Sequence, residues 1–175
     1  MIQLPIIRDE YELAKKEAEN LGHLNRSILK GKGNLAGILG ELAVLRYFRY
    51  LGAVRENTYN WDLSVSGFKL DVKTKQRTVD PQPHFVGTVP DYSNQDCQAY
   101  VFTSVRFNND LPVSITLCGW MGKEAFKREA SFYKKGDVSP ENGWVCSMDC
   151  WVLEYKKMKP IQSLDCGLLM HSQLN

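Results

Sequence analysis

The stretch NWDLSVSGFKLDVKTKQ, residues 60–76, constrains the fold more than any other part of the chain. Two runs alternate apolar with polar residues, and Ser66-Gly67 stands between them. Such alternation marks strands with one buried face, and a two-residue turn of this kind joins them as a tight hairpin. The turn implies a register: Val65 opposite Phe68, Leu63 opposite Leu70, and Asp62 opposite Asp71. Lys73 shares the polar face with Asp71, because side chains alternate along a strand. Leu63, Val65, Phe68, Leu70 and Val72 form the other face and go to a core. A slip by one residue would exchange the faces. Like charges directly opposite destabilise a strand pair. Lys73 offsets part of that repulsion, and a shared divalent cation would offset more. A solvated hairpin face with a surface Asp71–Lys73 pair, worth little, would show the same alternation.

The segment just upstream, NLAGILGELAVLRYFRYLG, shifts the balance between those alternatives. Asn34 reads as a helix cap and Gly52 as a stop. Almost every residue between them is apolar or small up to Arg46, as in a helix buried all round. Glu41 stands in its middle. A buried carboxylate must be paired or neutralised, and the hairpin acids offer a site that would use it. Gly37 and Gly40 each cost a helix about 1 kcal/mol relative to alanine, so something is expected to approach closely there.

The rest of the chain reads as follows. Tyr11, Ala14, Ala18 and Leu21 predict an amphipathic helix over residues 9–24. Residues 25–34 are a basic, glycine-containing loop. Residues 53–77 give a strand or two and the hairpin. Residues 78–96, with three prolines, form a long loop. Residues 98–107 and 112–121 are strands joined by a short turn. A helix over 122–135 ends at Gly136, and residues 148–158 supply a last strand. There are no repeats, low-complexity tracts or linkers, so a single α/β domain over 1–175 is expected.

Composition excludes little. The net charge of +2 neither demands nor excludes nucleic acid. No apolar stretch approaches the roughly 18 to 20 residues of a membrane span, and the amino end lacks the pattern of a leader. A soluble, cytoplasmic protein with no membrane partner is expected. Cys97, Cys118, Cys146, Cys150 and Cys166 are odd in number and widely spaced, which suits reduced thiols. With His171 they match no zinc pattern.

In order and spacing, Glu41, Asp62 and Asp71-x-Lys73 resemble the PD-(D/E)xK nuclease superfamily, the restriction-endonuclease-like fold, in its small phage or bacterial form. The resemblance covers about residues 34–130, with an N-terminal helix and a C-terminal strand as additions. It implies a central mixed β-sheet flanked by helices. Trp61 replaces the proline that usually precedes the first aspartate, and Asp71 stands where glutamate is more frequent. The implied activity is magnesium-dependent hydrolysis of DNA phosphodiester bonds, with manganese as substitute, in recombination, repair or DNA degradation. Asp62, Asp71 and the Val72 carbonyl would hold the metal, Glu41 would serve a second ion, and Lys73 would orient water and stabilise charge. Lys32, Lys75, Gln76 and Arg77 are the candidate DNA contacts. Further basic residues lie at Lys30, Lys69, Lys123, Lys127 and Arg128, and His84, Phe85 and Tyr92 are candidate stacking residues. For a phage protein the compartment would be the host cytoplasm. A homodimer, the preferred DNA structure, and exonuclease against endonuclease action stay open. A non-catalytic nucleic-acid-binding protein with the same fold is the alternative.

Overall fold

The computed structural model describes residues 1–22, 32–56, 58–92, 95–138 and 145–164. The elements are β1 (Ile2–Leu4), α1 (Arg8–Gly22), α2 (Lys32–Tyr47), β2 (Val54–Arg55), β3 (Leu63–Val65), β4 (Phe68–Arg77), β5 (Val86–Pro90), β6 (Ala99–Asn108), β7 (Leu111–Gly122), α3 (Lys123–Glu129), β8 (Ser131–Tyr133) and β9 (Cys150–Glu154). A six-stranded mixed sheet runs β1-β7-β6-β4-β3-β2, and a three-stranded sheet runs β5-β9-β8. Within the large sheet β4 and β6 are parallel, and every other neighbouring pair is antiparallel.

The hairpin has the register that its turn implies: Val65 faces Phe68 and Leu63 faces Leu70. Ser66 and Gly67 both take positive φ, 49° and 79°, so the turn twists with its strands. Asn109 and Asp110 do the same between β6 and β7, at 48° and 63°.

The large sheet separates two cores. Leu63, Val65, Leu70 and Val72 join Leu39, Ala43 and Val44 of α2 in one. Tyr100, Phe102 and Phe126 form the other, with Leu153 and Tyr155 from the region of the small sheet. The parallel pairing sets Asp71 beside Tyr100 and Lys73 beside Phe102. Paired residues point the same way, so the Asp71 face of β4 belongs to this second side.

Gly40 seats α2 on the sheet. A Cβ there would lie 2.1 Å from Thr74 Oγ1 and 2.6 Å from Thr103 Oγ1. Those hydroxyls bond each other at 2.8 Å across β4 and β6. Gly37 meets nothing within 4 Å, so close approach is confined to Gly40. Gly40→Ala should therefore cost about 1–3 kcal/mol as overpacking. Gly37→Ala should be neutral or stabilising by up to about 1 kcal/mol. Thermal melting of the two variants checks the contrast.

Several expectations are corrected. Asn34 lies inside α2, which starts at Lys32. Gly52 caps a 3-10 turn after the helix, at φ 73°, rather than α2 itself. The proline-rich loop contains β5, whose Val86–Pro90 pair with β9. The late helix stops at Glu129, and Ser131–Tyr133 join β9 as a strand. β1 pairs with β7 at the opposite edge. Among the described residues no helix is long and apolar enough to cross a membrane.

Candidate active site

Asp71 and Lys73 meet directly. Asp71 is 1% exposed and Lys73 is 18% exposed at its side chain. The Lys73 ammonium lies 2.7 Å from Asp71 Oδ2. That oxygen is buried, and the Lys73 ammonium is its charge partner. A solvated surface pair is thereby ruled out as a description of these two residues.

Gln95, in the segment before β6, closes the arrangement. Its Nε2 donates to Asp71 Oδ1 at 2.6 Å, and its Oε1 accepts from Lys73 Nζ at 2.9 Å. Lys123, at the start of α3, donates to the Gln95 carbonyl and so anchors that segment. Gln95 has no signal in the sequence, because it lies 22 residues from Lys73 in an irregular stretch.

Asp62 stands just before β3. The Thr58 hydroxyl accepts from the N–H groups of Asn60 and Trp61, at 3.2 and 3.0 Å, and donates to the Trp61 carbonyl at 2.8 Å. This turn delivers Asp62 to the end of the hairpin. Its N–H donates to the Leu70 carbonyl at 3.0 Å, and its Oδ2 accepts from the Val72 N–H at 2.7 Å. The side chain thus caps β4 where the ladder of β3 has ended. Trp61, in the proline position, donates from Nε1 to Glu56 at 3.0 Å and lies under Lys69, whose Nζ is 4.0 Å from its ring centroid.

Glu41 comes from the α2 side of the sheet and is held by Arg55 of β2. Arg55 donates to Glu41 Oε2 from Nε at 3.0 Å and from NH2 at 2.8 Å, and it also binds Glu17 of α1. Arg55 belongs to the site's charge balance and was not singled out in the sequence.

The three acids feel one another. Burial pushes the Asp62 carboxyl up to about 7, and the charges of Asp71 and Glu41 push the same way. Burial also raises Glu41, against the hydrogen bond and charge of Arg55. Asp71 is raised by burial and lowered in part by Lys73. A divalent cation would relieve this strain. The buried Asp71 carboxylate, with Asp62 beside it destabilised as an anion, suits magnesium, which uses one or two carboxylates and keeps waters. A third acidic ligand does not fit: among the described residues no set of three His, Cys, Asp or Glu side chains is placed to hold a metal ion. Glu41 is engaged by Arg55 instead.

Of the candidate nucleic-acid contacts, Lys75, Gln76 and Arg77 end β4 and line a groove with His84 and Phe85. Lys69 is paired with Asp96 at 3.2 Å. Lys127 and Arg128 are exposed on the last turn of α3, and Tyr92 is exposed. Lys32 opens α2, but its side chain lies outside the described residues, as do Lys30, Cys166 and His171. Cys97, Cys118, Cys146 and Cys150 are buried free thiols. Burial raises Cys97 to about 11 and Cys118 and Cys150 to about 12, which keeps them protonated.

The fold and site define a mixed α/β protein with a buried acid–lysine pair on a central strand. No protein-family model, curated protein or solved structure matches the chain.

Proposed function

We propose that this chain is a metal-dependent nuclease built on a restriction-endonuclease-like core, hydrolysing DNA phosphodiester bonds. The observation that carries the proposal is the buried Asp71–Lys73 pair at 2.7 Å, with Asp62 beside it raised by burial and then by the Asp71 charge. A structural ion pair does not call for a second buried acid at the same place, although Asp62 also caps β4 through the Val72 N–H. A hydrolytic site calls for one. Asp62 and Asp71 would hold magnesium, with the Val72 carbonyl as the further ligand, and the bound ion would polarise the phosphate and acidify a water. Lys73 orients the attacking water and stabilises charge growing on the phosphate. Gln95 fixes the Asp71 and Lys73 side chains relative to each other. Glu41 supports the site through its field and its tie to Arg55.

The alternative, a nucleic-acid-binding protein that keeps the fold without the reaction, draws on one observation: Glu41 is committed to Arg55 and is not placed as a ligand. The deciding experiment incubates the full chain with linear, nicked, branched and single-stranded DNA, in magnesium, in manganese and in EDTA. Cleavage with either metal, none in EDTA and none by Asp71→Asn is the expected result. No cleavage of any substrate with either metal would leave the binding protein as the answer.

A further inference from the structure

A groove of about 690 Å³ opens at the carboxyl end of β4. Lys75 and Arg77 line it, and they continue the row of alternate residues that begins with Asp71 and Lys73. Phe85, Tyr133 and Lys157 line it too. Arg77 is fixed in place: its NH2 donates to the Val86 carbonyl at 3.2 Å, and its guanidinium carbon lies 4.6 Å from the Phe85 ring centroid.

Size, spacing and charge indicate the occupant. The volume is in the range of a small-molecule site, about 300–1,000 Å³, which admits one or two nucleotides but no duplex. Alternate residues of a strand recur about every 6.6 Å, a step of the same order as that between phosphates along an extended single strand. The groove holds the cations Lys75, Arg77 and Lys157 against Glu129 and Glu154. Glu154 is already paired with Lys156 at 2.9 Å and lies 3.9 Å from Lys157. Burial, then the Arg77 charge, lower the pKa of Lys75, and an anion beside it would favour its charged form. The aromatic rings give bases a surface to stack on.

We infer that this groove is the path of one nucleic-acid strand, with phosphates on the Lys75–Arg77 row and bases against Phe85 and Tyr133. The proposed nuclease then takes a strand end or a single-stranded segment, with the next phosphate along the row at Asp71 and Lys73. The chemical part of this inference rests on the nuclease proposal. The binding part does not.

The test measures fluorescence anisotropy of the full chain with a labelled oligothymidylate and with a blunt duplex of equal length, both in EDTA. The oligothymidylate should bind on the order of tenfold more tightly than the duplex. Its affinity should fall as salt rises. Phe85→Ala should weaken oligothymidylate binding about tenfold by removing a stacking surface. Lys157→Gln, at an exposed side chain, should weaken it about threefold without touching the fold. It keeps the test valid if Phe85→Ala melts early. Equal or tighter binding of the duplex, or unchanged oligothymidylate binding by Lys157→Gln, would overturn the inference. Groove-dependent binding with no cleavage in magnesium or in manganese would sustain the groove and end the nuclease proposal. Cleavage by wild type that is indifferent to both substitutions would do the reverse.

Discussion

Lys73→Ala is expected to suppress the proposed cleavage and to cost the protein a large part of its stability. The stability loss follows from burial. Asp71 is 1% exposed, and Lys73 supplies its counter-charge at 2.7 Å. Removing one member of a buried pair typically costs about 3–5 kcal/mol, because the other charge is left uncompensated. For a chain of this size that is a fall of roughly 6 to 20 °C in melting temperature. Gln95 would still donate to Asp71 Oδ1, but an amide carries no charge. The deficit should depend on pH. Burial already raises the Asp71 pKa, and loss of Lys73 raises it further. A carboxyl raised on folding loses stability as pH climbs from its unfolded value through its folded one. The variant should therefore lag the wild type more at pH 8 than at pH 5. The double variant Asp71→Asn with Lys73→Met removes both charges, and should recover most of the loss while staying inactive. Cleavage by Lys73→Ala, measured below its own melting point, should drop by about 10² to 10³ through loss of one stabiliser of transition-state charge. Wild-type melting would show the pair to be solvated. Wild-type cleavage would remove Lys73 from the chemistry.

The hairpin was legible because its information is local. Ser66-Gly67 sets the turn, the alternation sets the faces, and the two together fix which residues oppose. Glu41 and Gly40 were legible for a related reason: each violates the pattern of its own helix. Gly40 has its explanation in Thr74 and Thr103, and Glu41 in Arg55. What stayed hidden depends on partners distant in sequence. Gln95 is an ordinary polar residue until the segment before β6 is folded against β4. Arg55 acquires its role only when α1, α2 and β2 meet. β1, β5 and β8 are short strands that take their identity from the neighbours they pair with. Pro81, Pro83 and Pro90 also disguised β5, although β5 is an edge strand of the small sheet, where a proline is tolerated.

Asp62→Asn should make the protein more stable and inactive. The Asp62 carboxyl moves from 3.8 to about 7 on folding, through burial and the charges of Asp71 and Glu41. Between those values the folded state holds a proton that the unfolded state has released. Stability in EDTA must then fall as pH rises from about 4 to about 7, and stay low above that. A gap of about three units corresponds to a ceiling on the order of 4 kcal/mol, reduced as Asp71 and Glu41 readjust within the coupled set. Glu41 and Asp71 are raised as well, so their contributions have the same sign. Asparagine keeps an oxygen for the Val72 N–H, now received at 2.7 Å, and carries no charge to penalise. In EDTA at pH 8, Asp62→Asn should melt several degrees above the wild type, and its melting temperature should vary less between pH 5 and pH 8. Magnesium should reverse the order. It would stabilise the wild type at pH 8 by compensating the acids, and would stabilise the variant much less for want of a ligand. A protein in which the acids only decorated a surface would show neither the pH slope nor the crossover. Melting curves of the two proteins at pH 5 and pH 8, each with EDTA and with magnesium, separate these cases. A wild type as stable at pH 8 as at pH 5 in EDTA, with no gain from Asp62→Asn, would mean that the three carboxylates do not share one field.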